Sequence, residues 1–304
     1  METKVYAAVL HWESPYQAIR AVRSLRESVG VTVDVTVIDN ASRNANYCLL
    51  VEGLQGAKIV RSSNNLGYAG GMNHGLQLLR EESAEYILLM TQDVTVDRTT
   101  VRELLRSMLD DPSVGTVGPI VYYLEHNDKV FSAGGYVDVK RVKVGHYFLP
   151  RAQVPYEVDW IDGCCMLIRR QAVDSVGGFD EGLFMYYEEN DLCQRVRRCG
   201  WKVVVAPSAQ AWHEIGRGPR PFNYHYYMAR NAYLYWAKNF GVGFVPVARS
   251  HVRSLARQYA AVFVSLVAPE VRARRGIGAR FINSLRATKG FLLGSWHYLR
   301  NVKR

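Results

Sequence analysis

The sequence predicts an α/β fold with a Rossmann-like, mixed and mostly parallel sheet flanked by helices, followed by a C-terminal helical extension. Short apolar runs alternate with helical patterns through the first half of the chain, and such alternation is typical of parallel sheets covered by helices. The chain has 304 residues, of which 48% are hydrophobic. A chain of this length and composition can bury a large core, in one domain or in two.

The pattern of the first half of the sequence predicts five strands and three helices. The strands are apolar and partly β-branched, and polar or glycine-containing segments follow them. The first helix begins at Ser14-Pro15, because proline is favoured at an early helical position. The predicted strands are Val5–Leu10, Val31–Ile38, Ala57–Val60, Tyr86–Met90 and Gly115–Val121, and the later helices end near Arg80 and cover Thr100–Leu109.

The second half is less regular. The predicted elements there are a strand at Asp159–Arg170, a short helix at Gln171–Val176, a helix at Tyr186–Cys199 and a strand at Trp201–Ala206. The glycines after Val176 are expected to end the short helix. The helix at Tyr186–Cys199 has acids at its start and arginines at its end, the order that the helix dipole favours. We expect a first domain at residues 1–240 and a basic, mainly helical extension at residues 241–304.

The net charge of +10 resides in the C-terminal segment. Between His251 and Arg304 there are eleven Lys or Arg residues and one acid, so the rest of the chain is balanced. This asymmetry argues against nucleic acid as a partner of the whole protein and for a neutral body with a basic appendage. From Leu255 to Leu299 apolar residues alternate with arginines at helical spacing. Such helices lie on anionic membrane surfaces; a helical lid or a homodimer contact is the alternative.

The cysteines and the apolar runs bear on location. Five cysteines without C-x-x-C spacing favour neither a zinc site nor a disulfide framework. The N-terminus leads directly into a strand, too short for the apolar part of a signal peptide. The longest apolar stretch, Tyr259–Ala268, has ten residues, and a spanning helix needs roughly twenty. We therefore expect a cytoplasmic protein, at most peripheral at the inner face of the plasma membrane.

Polar residues follow the predicted strands, where open α/β sheets bind ligands. The segment Asn64–Asn73, here called the glycine loop, includes Gly67, Gly70 and Gly71, which let the backbone approach a ligand, and its helix offers N–H groups to a diphosphate. A plain tight loop would look the same. Asp93 follows the strand Tyr86–Met90, where a carboxylate suits Mg²⁺ or Mn²⁺, although it could equally cap a turn.

Two further signals lie in the second half. The run Tyr186–Leu192 crowds three carboxylates beside two tyrosines, and like charges at this density raise at least one pKa, as a general base requires. An acidic first turn of a helix is the alternative. His213 follows the strand Trp201–Ala206, and a single histidine in such a place is more often ordinary than a ligand.

Taken in order, these signals resemble the family 2 glycosyltransferases, in particular their bacterial rhamnosyltransferase-like branch. The resemblance covers about Val5 to Asn239 and ends with Arg230-Asn231. It is carried by Val37–Ser42, by the glycine loop, by Gly178–Glu181 and by Glu188–Arg195. It implies a GT-A fold and an inverting, nucleotide-sugar-dependent hexosyltransferase.

The resemblance also implies roles for single residues. Asp39, next to Asn40, would read the pyrimidine base, and Glu189, beside Glu188, would be the catalytic base. Asp93 would bind the metal in the D-x-D region, with His213 as a later metal or diphosphate ligand. The implied nucleotide and donor residues are Asp39, Asn40, Asn65, Gly67, Gly70, Gly71, Asn73, Gln92, Asp93, Asp162 and Gly163, and the acceptor-side residues are Trp160, Tyr187 and Asp191.

Two departures from the family pattern matter. The D-x-D region is reduced to Gln92-Asp93-Val94, so a single carboxylate is left for a metal ion. The base position holds Glu in place of Asp, a change of one methylene with little effect on intrinsic acidity. The implied donor is dTDP-L-rhamnose, with a UDP-hexose second, and the implied acceptor is a bacterial surface glycan or its lipid-linked precursor.

Two other classes remain open on the sequence. A sugar nucleotidyltransferase should carry a basic, glycine-rich phosphate loop after its first strand, where this chain has His11–Ser14. A nucleic-acid-binding protein would use the basic segment with its interleaved aromatic residues, but this leaves the neutral body and its acidic run unexplained.

Overall fold

The protein is described here by a computed structural model. It describes residues 3–216, 222–267 and 277–302. The chain forms two compact units, here called the sheet unit and the helical unit. The sheet unit comprises residues up to Tyr136, Val144–Phe184 and Glu188–Ile215, and the helical unit comprises Val137–Lys143, Met185–Tyr187 and Gly216–Arg304.

Strands and helices largely alternate up to β6, as the sequence predicts for the first half, and six strands, β6 to β11, then follow without an α-helix between them. The strands are β1 Lys4–His11, β2 Thr32–Asp39, β3 Lys58–Arg61, β4 Tyr86–Thr91, β5 Val94–Val96, β6 Val114–Tyr123, β7 His126–Ser132, β8 Gly135–Asp138, β9 Lys143–His146, β10 Tyr156–Glu157, β11 Cys165–Arg169 and β12 Lys202–His213. The helices are α1 Pro15–Arg26, α2 Asn44–Gly53, α3 Gly67–Glu81, α4 Thr100–Asp110, α5 Arg170–Val176, α6 Glu188–Arg198, α7 Phe222–Phe240, α8 Phe244–Val267 and α9 Ile277–Val302.

The main sheet is mixed and mostly parallel along its central path, as predicted. Its order is β10-β12-β6-β11-β4-β1-β2-β3, with β5 beside β12 and β7 beside β6. Strands β4, β1, β2 and β3 run parallel, and β11 runs antiparallel between β4 and β6. Because β11 is reversed, its first residue, Cys165, lies opposite Met90 near the end of β4. The carboxyl ends of β1, β2 and β4 therefore meet the start of β11 at one edge.

The core explains the helix and strand patterns. Ala18, Val22 and Leu25 of α1 are fully buried, as their helical spacing predicts. Strand β4 is buried from Tyr86 to Met90, which confirms a strand covered on both faces. Gly177 ends α5 in the left-handed conformation with φ 77°, a backbone angle that glycine adopts without steric cost.

Three of the predicted elements have different bounds in the structure. The strand expected at Asp159–Arg170 is shorter, because only Cys165–Arg169 pairs with neighbours. Helix α6 begins at Glu188 and not at Tyr186, since Tyr186 and Tyr187 have φ angles of 67° and 71°, outside the helical region. Strand β12 continues through an irregularity between Ala206 and Gln210 as far as His213. His213 is therefore the last residue of the strand and does not follow it.

The helical unit contains the three long helices α7, α8 and α9. Helix α7 belongs to the same compact unit as α8 and α9 and not to the sheet unit. The expected domain boundary after residue 240 stays a prediction. None of the helices in the described part of the chain is both long and apolar enough to span a membrane. Arg272, Arg274, Arg275, Lys303 and Arg304 lie outside the described residues, as do the side chains of Leu266 and Arg280.

Candidate active site

The loop after β4 and the end of β12 place a carboxylate against an imidazole. The Oδ2 atom of Asp93 lies 3.2 Å from Nε2 of His213, because β12 pairs with β5 so that His213 is opposite Val94. Thr91 donates a hydrogen bond of 2.6 Å to the other carboxylate oxygen. Burial raises the pKa of Asp93, but hydrogen bonds with His213 and Thr91 lower it by more. The pKa of Asp93 is therefore below its ordinary value.

Gln92, the residue that stands beside Asp93 in the reduced D-x-D region, has a different contact. Its side-chain amide donates to the carbonyl of Trp12 at 3.0 Å and accepts from the N–H of Trp12 at 2.8 Å. Both polar atoms are thus engaged with the loop after β1. Gln92 joins two strand-end loops, and its expected contact with the donor stays a prediction.

The start of α6 supplies two carboxyl groups with unlike surroundings. Glu188 is 5% exposed, and burial together with the charge of Glu189 raises its pKa well above the ordinary value. Glu189 is half-buried. Burial, reinforced by Asp162 and opposed by a backbone hydrogen bond and by His146, raises the pKa of Glu189 to about 7. A carboxylate that titrates near neutrality suits a general base.

Asp162 and its partner His146 form the next wall of the site. The Nδ1 atom of His146 lies 3.6 Å from Oδ2 of Asp162 and 3.1 Å from Oγ of Ser132. Burial raises the pKa of Asp162, but His146 and Ser132 outweigh it and lower that pKa. Burial lowers the pKa of His146, and Asp162 raises it by more. The pair thus keeps a carboxylate ionised in a buried place.

The thiol of Cys164 locates these groups relative to one another. Its pKa is raised well above the ordinary value by burial and by the charges of Asp162, Asp93 and Glu189. The backbone supports this proximity, because the N–H of Thr91 donates to the carbonyl of Cys164 at 3.0 Å and a Cβ on Gly163 would lie 3.5 Å from Cβ of Glu189. The carboxylates expected to hold the metal, to hold the donor sugar and to act as base therefore share one place in the sheet unit.

The glycine loop reaches the same place through Tyr68. Its hydroxyl donates a hydrogen bond of 2.6 Å to the carbonyl of Gly163, and burial followed by the charges of Glu188 and Glu189 raises its pKa well above the ordinary value. A Cβ on Gly163 would lie 2.6 Å from the Tyr68 hydroxyl. The start of α3, the loop before β11 and the start of α6 are therefore in direct contact.

Asp39 lies at the end of β2 and is fully buried. Its Oδ1 atom is 2.9 Å from Nδ1 of His11, and its Oδ2 atom is 3.0 Å from Nε of Arg61. Burial raises the pKa of Asp39, but hydrogen bonds from His11 and Ser42 lower it below the ordinary value. Among the described residues, Oδ2 of Asp39 and Nε2 of His11 have no partner with hydrogen-bond geometry. Both atoms are enclosed by protein, and Oδ2 is held by the ion pair with Arg61.

Asn40 organises the start of the glycine loop. Its side chain donates to the carbonyl of Gly67 at 2.9 Å and to Oδ1 of Asn65 at 3.1 Å, and it accepts from the N–H of Leu66 at 2.9 Å. Asn65 accepts in turn from the N–H of Gly67 at 2.8 Å. Gly67 has φ 71°, which a residue with a Cβ rarely adopts. Asn40 and Asn65 therefore hold the loop in shape, and any contact with a nucleotide stays a prediction.

The later residues of the glycine loop face protein. A Cβ on Gly70 would lie 2.8 Å from Cβ of Leu66, and one on Gly71 would lie 2.5 Å from Leu10. Asn73 accepts from the N–H of Phe179 at 2.8 Å and donates to its carbonyl at 3.0 Å. These residues pack α3 against β1 and the segment before α6. Their expected place beside the donor stays untested.

The three acceptor-side residues have contrasting surroundings. Trp160 is 3% exposed, and its ring packs 4.7 Å from that of His146. Asp191 is fully buried and its Oδ2 atom lies 2.7 Å from Nε of Arg195. Burial of this degree leaves neither side chain free to contact an acceptor directly. Tyr187 belongs to the helical unit, where its ring packs 5.3 Å from that of Tyr235.

Sequence reasoning missed His11, Tyr68 and His146 as residues of this site. Tyr68 lies inside the glycine loop and His11 is the last residue of β1, so their positions at strand and helix ends were a usable signal. His146 is different, because it ends β9 in a stretch without a motif. Its relation to Asp162 depends on tertiary packing that spacing along the chain does not encode.

The donor atoms at Asp93 and His213 fit one side of a divalent cation. Two neighbouring ligands of an octahedral ion with bonds near 2.1 Å lie about 3 Å apart, and the two atoms here are separated by 3.2 Å. Magnesium and manganese commonly take few protein ligands and complete their shells with water and phosphate oxygens. In the described ranges, no three His, Cys, Asp or Glu side chains are grouped to hold a metal, so phosphate would have to supply further ligands.

Comparison with known proteins places this geometry in a family. The model of "Glycosyl transferase family 2" matches residues 17–177. The chain is 27% identical over 229 residues to an N-acetylglucosaminyl-diphospho-decaprenol L-rhamnosyltransferase of Mycobacterium tuberculosis, covering 66% of this chain and 74% of that protein. It is 22% identical over 255 residues to the dTDP-rhamnosyl transferase RfbF of Shigella flexneri, covering 79% and 82% respectively.

Two solved structures share the fold. The mannosyltransferase PcManGT of Pyrobaculum calidifontis, in complex with GDP-Man and Mn²⁺, superposes with a TM-score of 0.60 at 13% identity over 98% of this chain and 88% of its own. GalNAc-T7 with UDP, GalNAc and Mn²⁺ superposes with a TM-score of 0.59 at 15% identity over 80% of this chain and 52% of its own. The sheet is thus of the GT-A type that the resemblance implied, and the chain belongs to glycosyl transferase family 2.

Proposed function

We propose that the protein is an inverting glycosyltransferase that moves L-rhamnose from dTDP-L-rhamnose to a hydroxyl group of a glycan or lipid-linked glycan. One observation carries the proposal: Glu189, with a pKa of about 7, shares the surroundings of Cys164 with Asp93 and Asp162. A base, a carboxylate beside the donor sugar and a pair of groups on the diphosphate side are the parts that a single displacement needs. The two rhamnosyltransferase relatives support the choice of donor.

The reaction proposed is one in-line displacement. The carboxylate of Glu189 takes the proton of the acceptor hydroxyl, whose oxygen forms a bond to the anomeric carbon of the donor. The bond from that carbon to the diphosphate breaks on the opposite face, so the configuration inverts and dTDP leaves with the electron pair. Asp162, kept ionised by His146, stabilises positive charge that develops on the sugar ring.

Asp93 and His213 would hold Mg²⁺ or Mn²⁺ on the diphosphate side. When bound, such an ion neutralises charge on the leaving diphosphate. The lowered pKa of Asp93 keeps its carboxylate ionised for this role. The Mn²⁺ bound in both solved structures supports a divalent cation here, and the single carboxylate of the reduced D-x-D region would leave ligand positions for phosphate oxygens.

The base-reading end of the site is assigned to Asp39. Its Oδ2 atom is enclosed by protein and ion-paired with Nε of Arg61 at 3.0 Å, so it would accept the imide N–H of a pyrimidine once Arg61 turns away from it. Thymine and uracil present the same imide group, so this contact serves dTDP-sugars and UDP-sugars alike. A UDP-hexose is accordingly the alternative donor.

The acceptor and the location follow from the relatives in the same way. The name of the mycobacterial relative describes an acceptor on a polyprenyl diphosphate. By analogy, we propose that this enzyme works in the cytoplasm, at the inner face of the plasma membrane, on a lipid-linked bacterial glycan. A homodimer is the alternative use of its basic C-terminal segment.

Replacement of Glu189 tests the proposal directly. Glu189→Gln keeps the size of the side chain and removes the base, so transfer from dTDP-L-rhamnose should fall about 10²- to 10⁴-fold, while dTDP affinity stays within a few-fold. The same change at Glu52, an exposed residue of α2, is the matched control and should leave turnover intact. Normal turnover by the Glu189→Gln variant would remove the base from the mechanism.

A further inference from the structure

Helix α9 has an unusual distribution of side-chain sizes. The residues that it buries are small, with the exception of Tyr298: Ser284, Ala287, Gly290, Gly294 and Ser295. The residues that it exposes are large and apolar, with 41% to 60% of each side chain accessible: Phe281, Ile282, Leu285, Leu292, Leu293, Trp296 and Leu299. A surface helix of a water-soluble protein normally shows the opposite arrangement.

The small residues let α9 approach α7 closely. A Cβ on Gly290 would lie 2.6 Å from the backbone of His225, and one on Gly294 would lie 2.8 Å from the backbone N of Arg230. Ser295 bonds the hydroxyl of Tyr233 at 2.8 Å. Packing of helices through small residues with large apolar side chains turned outward is the arrangement found in membrane environments.

The outward residues form one continuous stripe. At 3.6 residues per turn, the seven exposed apolar residues of α9 fall within an arc of about 120° around the helix axis. Lys289 and Arg300 lie in the same arc and are exposed, and the guanidinium carbon of Arg300 lies 5.2 Å from the ring centre of Trp296. We call this stripe of α9 the apolar face.

Helix α8, in the same unit, exposes a row of apolar side chains of its own, here called the stripe of α8. Val252, Tyr259 and Phe263 are exposed at helical spacing, and Arg253 and Arg257 are exposed at its side. The hydroxyl of Tyr259 lies 2.9 Å from Oγ1 of Thr288 on α9, so the two helices are in contact. Both helices thus expose large apolar side chains together with arginines.

We propose that the apolar face of α9, together with the stripe of α8, lies in the surface layer of an anionic lipid bilayer. In the described part of the chain, no helix is long and apolar enough to cross a membrane. A helix that has an apolar face and basic residues beside it can instead lie in the plane of the membrane interface. Tryptophan and arginine side chains are favoured at that depth.

Charge distinguishes a bilayer from a second copy of the chain. The exposed basic residues described on these two helices are Arg253, Arg257, Lys289 and Arg300, and none of the described residues 251–267 and 277–302 is acidic. A symmetric dimer through this surface would bring the same positive charge against itself, whereas phosphatidylglycerol headgroups would neutralise it. An anionic lipid bilayer, with charged headgroups over an apolar interior, therefore fits this surface better than a second copy of the chain does.

Vesicle co-sedimentation of the full chain tests the proposal, with no sugar nucleotide present, so that its outcome is independent of glycosyl transfer. The wild-type protein should bind phosphatidylglycerol/phosphatidylcholine vesicles at least tenfold more strongly than pure phosphatidylcholine vesicles, and less strongly at high salt. The double variant Leu292→Ser/Trp296→Ser should lose at least tenfold in partitioning. Leu109→Ser/Leu149→Ser, which changes exposed leucines of the sheet unit, is the matched control and should bind like wild type.

Two results would overturn the proposal. One is undiminished vesicle binding by Leu292→Ser/Trp296→Ser whose thermal unfolding matches that of wild type. The other is a wild-type dimer in sedimentation velocity that the same variant converts to a monomer, because the apolar face would then join two copies. A third variant, Arg253→Gln/Arg257→Gln, should weaken binding to anionic vesicles only, and an equal loss on neutral vesicles would contradict the role given to charge.

Discussion

Glu188 and Glu189 are adjacent in the chain, yet their environments differ. Glu188 is buried, and burial together with the charge of Glu189 raises its pKa well above the ordinary value. Glu189, with a pKa of about 7, exchanges its proton in the physiological range. Two neighbouring acids with separated pKa values are a recurring way to assign acid and base roles. At Glu188 burial and the charge of Glu189 both raise the pKa, whereas at Glu189 a backbone hydrogen bond and His146 oppose the effect of burial.

This difference predicts the pH dependence of the reaction. Because the base must be ionised, kcat/KM should be constant above about pH 7 and should fall tenfold for each unit below it, which a rate profile between pH 5 and 9 would measure. Glu188→Gln should keep this acid limb, since glutamine resembles the protonated acid that it replaces. Disappearance of the limb in Glu188→Gln, with its retention in Glu189→Gln, would reverse the two assignments.

Residue identities at strand ends were predictable from the sequence, and their partners were not. The periodicity of the apolar runs marks where a strand stops, so Asp39 and Asp93 could be found as polar residues at one edge. Asp162 was identified only through the family resemblance, because the pattern placed it inside a predicted strand. Neither Arg61 beside Asp39 nor His146 beside Asp162 has a local signal, because each pairing joins separate elements. Spacing along the chain therefore predicts some of the acids of the site and leaves out the groups that set their pKa.

At the scale of elements, α3 depends on glycine for its distance from β1. A Cβ on Gly75 would lie 2.9 Å from Cβ of Ala8, an atom fixed to the strand backbone. Alanine normally stabilises a helix relative to glycine, but Gly75→Ala should lower the free energy of unfolding by about 1–3 kcal/mol through overpacking. Denaturant titration measures this, and Gly243→Ala, with no neighbour within 4 Å, should not be destabilised.

A second element prediction concerns the chain just before α6. Tyr186 and Tyr187 have φ angles of 67° and 71°, which bulky residues rarely adopt and which persist only when the surroundings impose them. Within the helical unit, the side chain of Asn231 donates to the carbonyls of Met185 and Tyr186, each at 2.8 Å. Asn231 is itself fully buried. It thus holds the backbone that leads directly into Glu188.

Asn231→Ala should therefore lower kcat for transfer by about tenfold or more while dTDP affinity changes little, and loss of the buried hydrogen bonds should reduce stability by about 1–3 kcal/mol. Steady-state kinetics with a nucleotide-binding assay separate the two effects. Asn223→Ala, on an exposed position of the same helix, serves as control. A variant with wild-type kcat would show that the tyrosine conformation does not depend on Asn231.

Element boundaries were harder to predict than element types. The acidic helix was expected from Tyr186, and its pattern gave no sign that two tyrosines would adopt left-handed angles. The strand ending at Ala206 continues to His213 because the sheet tolerates an irregularity after Ala206. Helix α2 and strand β5 were not predicted, since the first is weakly amphipathic and the second has three residues. In each case tertiary packing outweighed local preference.

At the scale of the whole molecule, the chain combines a sheet unit in which acids outnumber basic residues with a strongly basic helical unit. The alternation of strands and helices was enough to predict the sheet, because few topologies satisfy short, right-handed connections. Charge counting predicted the basic character of the C-terminal segment. The inverted packing of α9 was not foreseen, since it is visible only once the buried and exposed sides of the helix are known.

This two-unit organisation predicts a specific response to ligand in calorimetry. A nucleotide that binds the native sheet unit stabilises it by RT ln(1 + [L]/Kd), about 2.7 kcal/mol at a hundred times Kd. We expect dTDP with Mn²⁺ or Mg²⁺ to raise the melting temperature by several degrees, and UDP by less if the donor is dTDP-L-rhamnose. GDP is the negative control, and an equal shift with GDP would argue against a pyrimidine-reading Asp39.

The environment of Cys164 gives the protein a chemical property of its own. All five cysteines are free thiols in this fold, and Cys48 and Cys199 are exposed whereas Cys164, Cys165 and Cys193 are buried. Burial and neighbouring carboxylates hold Cys164 in the thiol form, and only the thiolate reacts with alkylating reagents. Maleimide dyes would therefore label two surface positions and spare the centre of the site, so that the enzyme carries its own pair of attachment points for distance measurements during turnover.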